Sequence, residues 1–521
     1  MLDATPEAEP VVERAPKQGR HDVTAKQIRG SSLLLAGRIL SLAVNFAVQI
    51  LIVRYLSKSD YGAFAYALSI ASLGETFTTF GLDRAITRFV PIYDERGEYN
   101  KMFGAIVMVV GTILGLGLTA VLLVYGLQSV VSGSLISNDK AMSLLLILIF
   151  LSLVQSLDNL TTGMFAVFSR PRAIFFRKYV LAPGLRLTVV LVLVLSNAGV
   201  LFLAAGYVAA GAIGVAIYLV ILVRVLRQQG LLGRFHVGTM KVPAREILSF
   251  TIPLLTSDLV YAVMNTSDAV LLGHFKGADA VASFRVIWPL AQMNQIVLAS
   301  FGILFTPMIA RLFARDDREG IDQVYWGTAV WMAIISFPIF ALTFSLAKPL
   351  TTAFYGDRYS SSALYLTLLS LGYYFNAAVG SNGLTLKVFG LLRYVVVINV
   401  IAAAVNIGLN VLLIPRYGAL GAAIGTCSTL IAHNLLKQWG LRRAGLPVFH
   451  ARYLRVYLSV TVGAAALLLV QLVASPPLPV GLALVALASV AVIGLNRGSL
   501  QVLQTFPELM RFRVFRLLAG K

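Results

Sequence analysis

The sequence predicts an all-α polytopic membrane protein of about fourteen transmembrane helices. They form two six-helix lobes related by pseudo-two-fold symmetry, with a C-terminal helix pair added. Three observations carry this. Of 521 residues, 58% are hydrophobic and only 13% charged, at a mean hydropathy of +0.82, whereas a soluble domain carries about 25% charged residues. The apolar residues come in unbroken stretches, such as 143–154 and 463–473, that hold no charge. Basic residues, finally, segregate to alternate connections. A soluble multidomain enzyme is excluded.

Taken in order, residues 1–30 mix five acidic and five basic residues with three prolines and no apolar core, which predicts a disordered cytoplasmic arm. A spanning helix needs about 20 mostly apolar residues. That criterion places the first six spans at 32–53, 62–82, 102–127, 141–168, 179–195 and 200–223, within an N-terminal lobe of residues 31–223. After a cytoplasmic linker at 224–246, a second lobe of residues 247–438 holds spans at 247–272, 281–305, 325–345, 363–384, 394–414 and 418–436. Residues 439–495 carry the extra pair, at 456–474 and 479–495. The tail, 496–521, interleaves Val502, Leu503, Phe506, Leu509, Phe512 and Phe515 with Arg511, Arg513 and Arg516, the pattern of an amphipathic helix lying in the cytoplasmic interface.

The arm, the even-numbered connections and the tail together hold 33 of the 43 Lys and Arg residues, against 7 in the odd-numbered connections. Basic residues mark cytoplasmic loops, so both termini are expected in the cytoplasm. The net charge of +20 is then a topology signal and not a nucleic-acid footprint. One cysteine, Cys427, in an apolar run excludes a disulfide framework, and the five scattered histidines show no metal-binding spacing. No cofactor is expected.

The chain repeats itself. Arg54–Ala65 (RYLSKSDYGAFA) and Gly273–Phe284 (GHFKGADAVASF) lie 219 residues apart, and the same offset relates Gly199 to Gly418, each opening the sixth span of its lobe. Six spans per repeat give both lobes one orientation, with a cavity between them.

Charges inside spans cost about 2.5–3.5 kcal/mol each by insertion scales, so they face a cavity or a partner. The basic set is Arg38, Arg186 and Arg285; the acidic set is Glu75, Asp158, Asp258 and Asp268. The arginines suit a bulky anion bound through forked guanidinium bonds, and the acids are candidates for H+ or Na+ coupling. Asp268 lies near an outer loop, within reach of water, whereas Asp258 sits near mid-span. Asp83, Arg84 and Arg88 form a loop-pairing cluster at the cytoplasmic face. Amides are frequent inside the spans, with Asn45, Asn265, Gln292, Asn399 and Asn406 as candidate sugar contacts; Asn399, Asn406 and Asn410 share one stripe of the eleventh span. Such stripes serve equally as interhelix glue. There is no GxxxxGK[ST] loop, no GxSxG and no large acid-bearing outer loop, so the plan is a transporter's, not an enzyme's.

Four sets of residues carry a family resemblance. They are Arg54-Tyr-Leu-Ser-Lys-Ser-Asp-Tyr-Gly62; Asp268-Ala-Val-Leu-Leu-Gly273 with Phe275-Lys-Gly277; Phe354-Tyr-Gly356-Asp-Arg-Tyr359; and Ile414-Pro-Arg-Tyr-Gly418 with Gly421-Ala-Ala-Ile424. Over roughly residues 31–436 the chain resembles the Wzx-type oligosaccharide flippases, the polysaccharide-transporter branch of the superfamily that also holds multidrug antiporters and the lipid II flippase. The resemblance implies two lobes that alternate between inward- and outward-open states. The implied cargo is an oligosaccharide on undecaprenyl pyrophosphate, moved across the bacterial cytoplasmic membrane for polysaccharide, O-antigen or exopolysaccharide synthesis. Membrane lipids, a polysaccharide polymerase and chain-length machinery are the implied partners. Alternatives on the same plan are a lipid II flippase and a multidrug or cation antiporter; the alternative of another class is a membrane polysaccharide polymerase. One departure stands out: Ala280-Val-Ala282 occupies a turn where relatives place a glycine.

Overall fold

The computed structural model describes residues 37–130, 138–168, 171–234 and 237–500. The expected N-terminal arm and the amphipathic stretch 501–521 lie outside the described residues. Every regular element among those described is helical.

The first half holds α1 (Gly37–Tyr55), α2 (Lys58–Thr79), α3 (Leu82–Glu95), α4 (Tyr99–Gly126), α5 (Asp139–Val167), α6 (Arg172–Leu195) and α7 (Val200–Gln228). The second half begins with α8 (Ala244–Lys276), α9 (Ala278–Arg285) and α10 (Ile296–Ala314). It continues through α11 (Arg318–Ser345), α12 (Ala347–Tyr355), α13 (Ser362–Val388), α14 (Leu392–Tyr417) and α15 (Ala419–Arg443), and the added pair is α16 (Ala451–Ala474) and α17 (Leu478–Leu495). Eleven helices among the described residues are long and apolar enough to cross a membrane, or twelve if the bent pair Ala278–Gly302 and Phe305–Ala314 is one span. The other two expected spans fall on α2 and α8, the central helices that pack on each other across the two halves.

Local sequence sets the breaks. Ser57 accepts a hydrogen bond from the Asp60 amide to start α2, and Asn138 caps α5 through the Ala141 amide. Gly277 takes φ +77° between α8 and α9, and Ala280 and Ala282 lie inside α9, past the turn. Three spans are discontinuous. A π-helical turn, Phe175–Leu181, opens α6; α9 stops at Arg285; and α13 breaks at Gly380, with φ +89°. Irregular backbone at membrane depth is tolerated where it is buried in protein or lines a cavity.

One core cluster runs through both halves, from Val48 and Tyr66 to Phe284 and Tyr373; a second joins the first half to Ile247 on α8, and two others belong to the second half. Contacts between the halves are tight at the end opposite the 224–246 linker. There Arg54 donates to the Phe354 carbonyl at 2.8 Å, at the C-terminus of α12. Arg358 reciprocates on the carbonyl of Val53, near the C-terminus of α1. Each cation meets the negative end of a helix dipole. Gly62 faces Ala278 so closely that a Cβ would lie 1.9 Å from its carbonyl oxygen, and Gly273 admits the Tyr66 ring. At the same end Lys140 bridges Asp60 at 2.6 Å. Burial opposes the Asp60 charge, but hydrogen bonds from Lys140 and Ser57 outweigh it and hold the carboxyl below its usual pKa.

Because Gly62 leaves no room for a Cβ against the Ala278 backbone, Gly62→Val is expected to wedge this end open. A cysteine placed at Ser69, behind the seal, should then react several-fold faster with an impermeant maleimide added from that side. The native Cys427 is buried and supplies little background. Unchanged labelling would show that the close approach does not hold the seal.

Candidate functional site

Buried polar groups gather in four places. The first is in the N-terminal half. Arg177, only 4% exposed, pairs with Asp158 at 2.7 Å and stacks over Tyr218. Gly214 makes room for its guanidinium, since a Cβ there would lie 2.5 Å from Nη2. Glu75 accepts a hydrogen bond from Asn159 at 3.0 Å. Arg186 lies over the Tyr207 ring, within electrostatic reach of both Glu75 and Asp158 but bonded to neither. Arg177 is the residue that the sequence pattern assigns to a loop; the π-turn carries it inside.

The second is a cavity of about 240 Å³ lined from both halves, by Gln49, Tyr61 and Tyr207 on one side and Thr266, Arg285 and Trp288 on the other. Arg285, at the end of α9, donates to the Asn265 carbonyl at 3.0 Å and lies 4.8 Å from the Trp288 ring, while its Nε has no partner. Gln49 donates to the Tyr61 hydroxyl at 2.7 Å.

The third is a cavity of about 620 Å³ in the second half, which shares Trp288 with the second. Its walls are rich in amides and basic groups, among them Asn265, Asn399, Asn406, His433, Lys387 and Lys437. Asn399 meets His433 Nε2 at 2.9 Å. Gln292, on the turn after α9, bonds Tyr373.

The fourth is the Asp268 network. Asp268 is fully buried; Asn410 donates to Oδ1 at 2.5 Å and Thr426 to Oδ2 at 2.8 Å. Asn406 accepts from Ser267 at 2.9 Å and from Asn410 at 3.3 Å, and Asn410 Oδ1 has no partner. Among the described residues no basic group lies within ion-pair distance of Asp268. Asn406 and Thr426 also line the 620 Å³ cavity, so the carboxylate sits one residue behind its wall.

The remaining expected site residues lie elsewhere. Asp258 is held by Arg84 at 2.8 Å, a bridge between the halves toward the linker end, where Tyr93 also donates to Glu246 at 2.7 Å. Arg38 is exposed on α1 and makes no hydrogen bond or ion pair among the described residues. Asn45 turns back onto Ser41 of its own helix at 2.7 Å. The stripe of α14 is divided: Asn399 serves the cavity, Asn410 serves Asp268, and Asn406 belongs to both.

Between α16 of the added pair and helices α11, α13 and α15 lies an apolar groove of about 540 Å³, lined by Phe340, Tyr374, Phe449, Tyr457 and Leu468. Helices α13 and α15 divide it from the polar cavity: Tyr374 and Gln438 line the groove, their neighbours Tyr373 and Lys437 the cavity.

Comparison with known proteins places this arrangement. The chain is 23% identical to an uncharacterised membrane protein of Methanocaldococcus jannaschii, covering 80% of this chain and 84% of that one. It is 23% identical to the teichuronic acid biosynthesis protein TuaB of Bacillus subtilis, over 28% of this chain and 30% of that one. Among solved structures it resembles the lipid II flippase MurJ in an inward closed conformation, with a TM-score of 0.71 at 15% identity over 90% of this chain and 99% of that one, a likeness of fold. The MatE family pattern matches residues 253–412. The pattern described as polysaccharide biosynthesis protein matches residues 28–313, more than half the sequence, and the chain therefore belongs to the polysaccharide biosynthesis protein family.

Proposed function

We propose that this protein is a flippase that moves an oligosaccharide linked to undecaprenyl pyrophosphate across the cytoplasmic membrane by alternating access. The observation that carries the reading is the pairing of a polar cavity of about 620 Å³ with an apolar groove across two shared helices. A lipid-linked sugar needs both environments at once. Sugar hydroxyls exchange hydrogen bonds with wall amides such as Asn265 and Asn399, and the polyprenyl chain stays in apolar surroundings. Arg186 and Arg285, neither of them in an ion pair among the described residues, are the arginines offered to the pyrophosphate, with Arg38 at the entrance. Asp158 belongs to Arg177 and Asp258 to Arg84, which makes them structural charges in this conformation.

With the linker in the cytoplasm, as the distribution of basic residues indicates, the sealed end faces outward. The cargo then enters from the cytoplasmic leaflet and leaves when the contacts at Arg54, Gly62 and Arg358 part. Two names support this reading, those of a teichuronic acid biosynthesis protein and of a lipid II flippase. A cationic drug is a poor occupant, because the lining of the large cavity has two lysines and no carboxylate.

Asp268 is the acid best suited to ion coupling. One carboxylate among the neutral oxygens of Asn406, Asn410 and Thr426 fits a proton or Na+ better than a divalent ion, for which a richer acidic set is usual. Among the described residues no cluster of three or more His, Cys, Asp or Glu is present. Loss of the gene tests the function in cells: repeat units on the lipid carrier should accumulate in the cytoplasmic leaflet while surface polymer disappears. Accumulation on the outer face would instead indicate a polymerase.

A further inference from the structure

Helix α13 is a wall that the apolar groove and the large cavity share, and it is broken where one gives way to the other. Tyr374, Ala378 and Val379 line the groove, and from Gly380 onward the chain lines the cavity. Gly380 makes the turn at φ +89°, where a side chain would be strained. A helix end leaves carbonyls without partners inside the helix, and here two tyrosines take them. Tyr457 of α16 donates to the Ala378 carbonyl at 2.9 Å, and Tyr325 of α11 donates to the Val379 carbonyl at 2.7 Å. On α15, Asn434 spans the break: it donates to Asn376 before it at 2.9 Å and accepts from Asn382 after it at 3.1 Å. The segment before the break is fixed on α11 by Tyr374, which donates to the Ala333 carbonyl at 2.7 Å and stacks on Phe340 at 4.1 Å.

The two latches differ in kind. The Tyr325 hydroxyl has one proton and two acceptors, because Gln438 Oε1 lies 2.9 Å away. Gln438 in turn donates to the Val448 carbonyl, on the connection to α16, at 3.0 Å. Val379 can therefore swing away from Tyr325 without stranding that donor, which lowers the cost of changing the bend. Tyr457 belongs to both compartments' boundary: its ring lines the groove while its hydroxyl holds the break. We propose that the break at Gly380 is a hinge through which an isoprenoid chain, packed on Tyr457 in the groove, sets the pose of the cavity wall at residues 381–387. Tyr325 and Tyr457 are then positioning residues that meet no sugar. This rests on reading the protein as a carrier of lipid-linked glycan. It adds that the length of the lipid chain is sensed, and that the added helix pair does the sensing.

The test uses the full chain in lipid nanodiscs, spin-labelled at cysteines replacing Leu364 and Lys387, which are exposed on either side of the break. The probe is undecaprenol, an isoprenoid alcohol with no phosphate or sugar, so only the groove is addressed. Adding it should shift the mean distance between the labels by about 2 Å. That is the scale of a swing of about 20° by the seven-residue segment past the break, about 10 Å long. Tyr457→Phe keeps the ring and loses the latch, and its distance should not respond to undecaprenol. In proteoliposomes the parent should move a glycan on an undecaprenyl carrier several-fold faster than the same glycan on a short farnesyl carrier. Tyr457→Phe should move both at the slower rate, a loss of chain-length preference that a merely stabilising hydroxyl would not produce. A parent distance unmoved by undecaprenol, or a Tyr457→Phe distance that moves as far as the parent's, overturns the hinge. Failure of the flippase reading looks different: the distance would still respond to undecaprenol in a protein that transfers neither glycan.

Discussion

Replacing Asp268 with asparagine is expected to abolish the dependence of transport on an ion gradient while the protein still folds. The side chain keeps its shape, and one of its two hydrogen bonds, from Asn410 or Thr426, survives on the remaining oxygen. What disappears is the negative charge that a proton or Na+ would neutralise. Flipping in reconstituted vesicles, measured with and without imposed Na+ and pH gradients, reads this directly. The parent should respond to one gradient and Asp268→Asn to neither. Alanine is the harsher change, since it strands two buried donors at about 1–3 kcal/mol for each unsatisfied group, and should lower stability as well. An Asp268→Asn protein that still follows the gradient would move the coupling role to another acid, with Glu75 next.

The second large effect lies in the first half. Arg177→Ala leaves Asp158 charged without its partner in a poorly solvated interior, and removing one member of a buried pair costs about 3–5 kcal/mol. The expected result is a sharply lower thermal midpoint in detergent and poor accumulation in the membrane. The double change Arg177→Met with Asp158→Leu should recover most of that loss, because a neutral pair of similar volume strands nothing. Gly214→Ala should mimic the single defect, since its Cβ would collide with the guanidinium. Should Arg177→Ala fold as well as the parent and lose only glycan binding, Arg177 would be a substrate contact and not a strut.

These outcomes bear on what a sequence can disclose about such a protein. Long apolar runs located the helices because the bilayer demands about 20 such residues whatever the function. The same rule misjudged positions where polar residues are sheltered by other helices. Arg177 and Lys178 interrupt the apolar pattern, so α6 looked seven residues shorter than it is, and Arg177 was assigned to the loop. The usable signal was the aromatic flank on both sides, Phe175-Phe176 before and Tyr179 after. Lys387 and Lys437 escaped for the same reason: each lies near a span end, where a basic residue reads as a cytoplasmic marker. Asp268 and Asp258 changed standing because depth along a helix says nothing about which face a side chain occupies. Asp268 turns toward Asn410 and Thr426 on α14 and α15, whereas Asp258 turns toward Arg84 on α3. Pairing between helices distant in sequence decides such questions, and one sequence does not encode it legibly.

The central claim is that this chain carries a lipid-linked glycan between leaflets. The most direct measurement is leaflet transfer in proteoliposomes holding only this protein and a labelled oligosaccharide on undecaprenyl pyrophosphate. A membrane-impermeant enzyme that cleaves the sugar from outside reports arrival. The account predicts that the accessible fraction rises with time in vesicles containing the parent chain, and that it stays at the protein-free level when Arg54 and Arg358 are replaced by cysteines and cross-linked to lock the outer end shut. Labelled glycan that stays in its original leaflet despite folded, correctly inserted protein would contradict it.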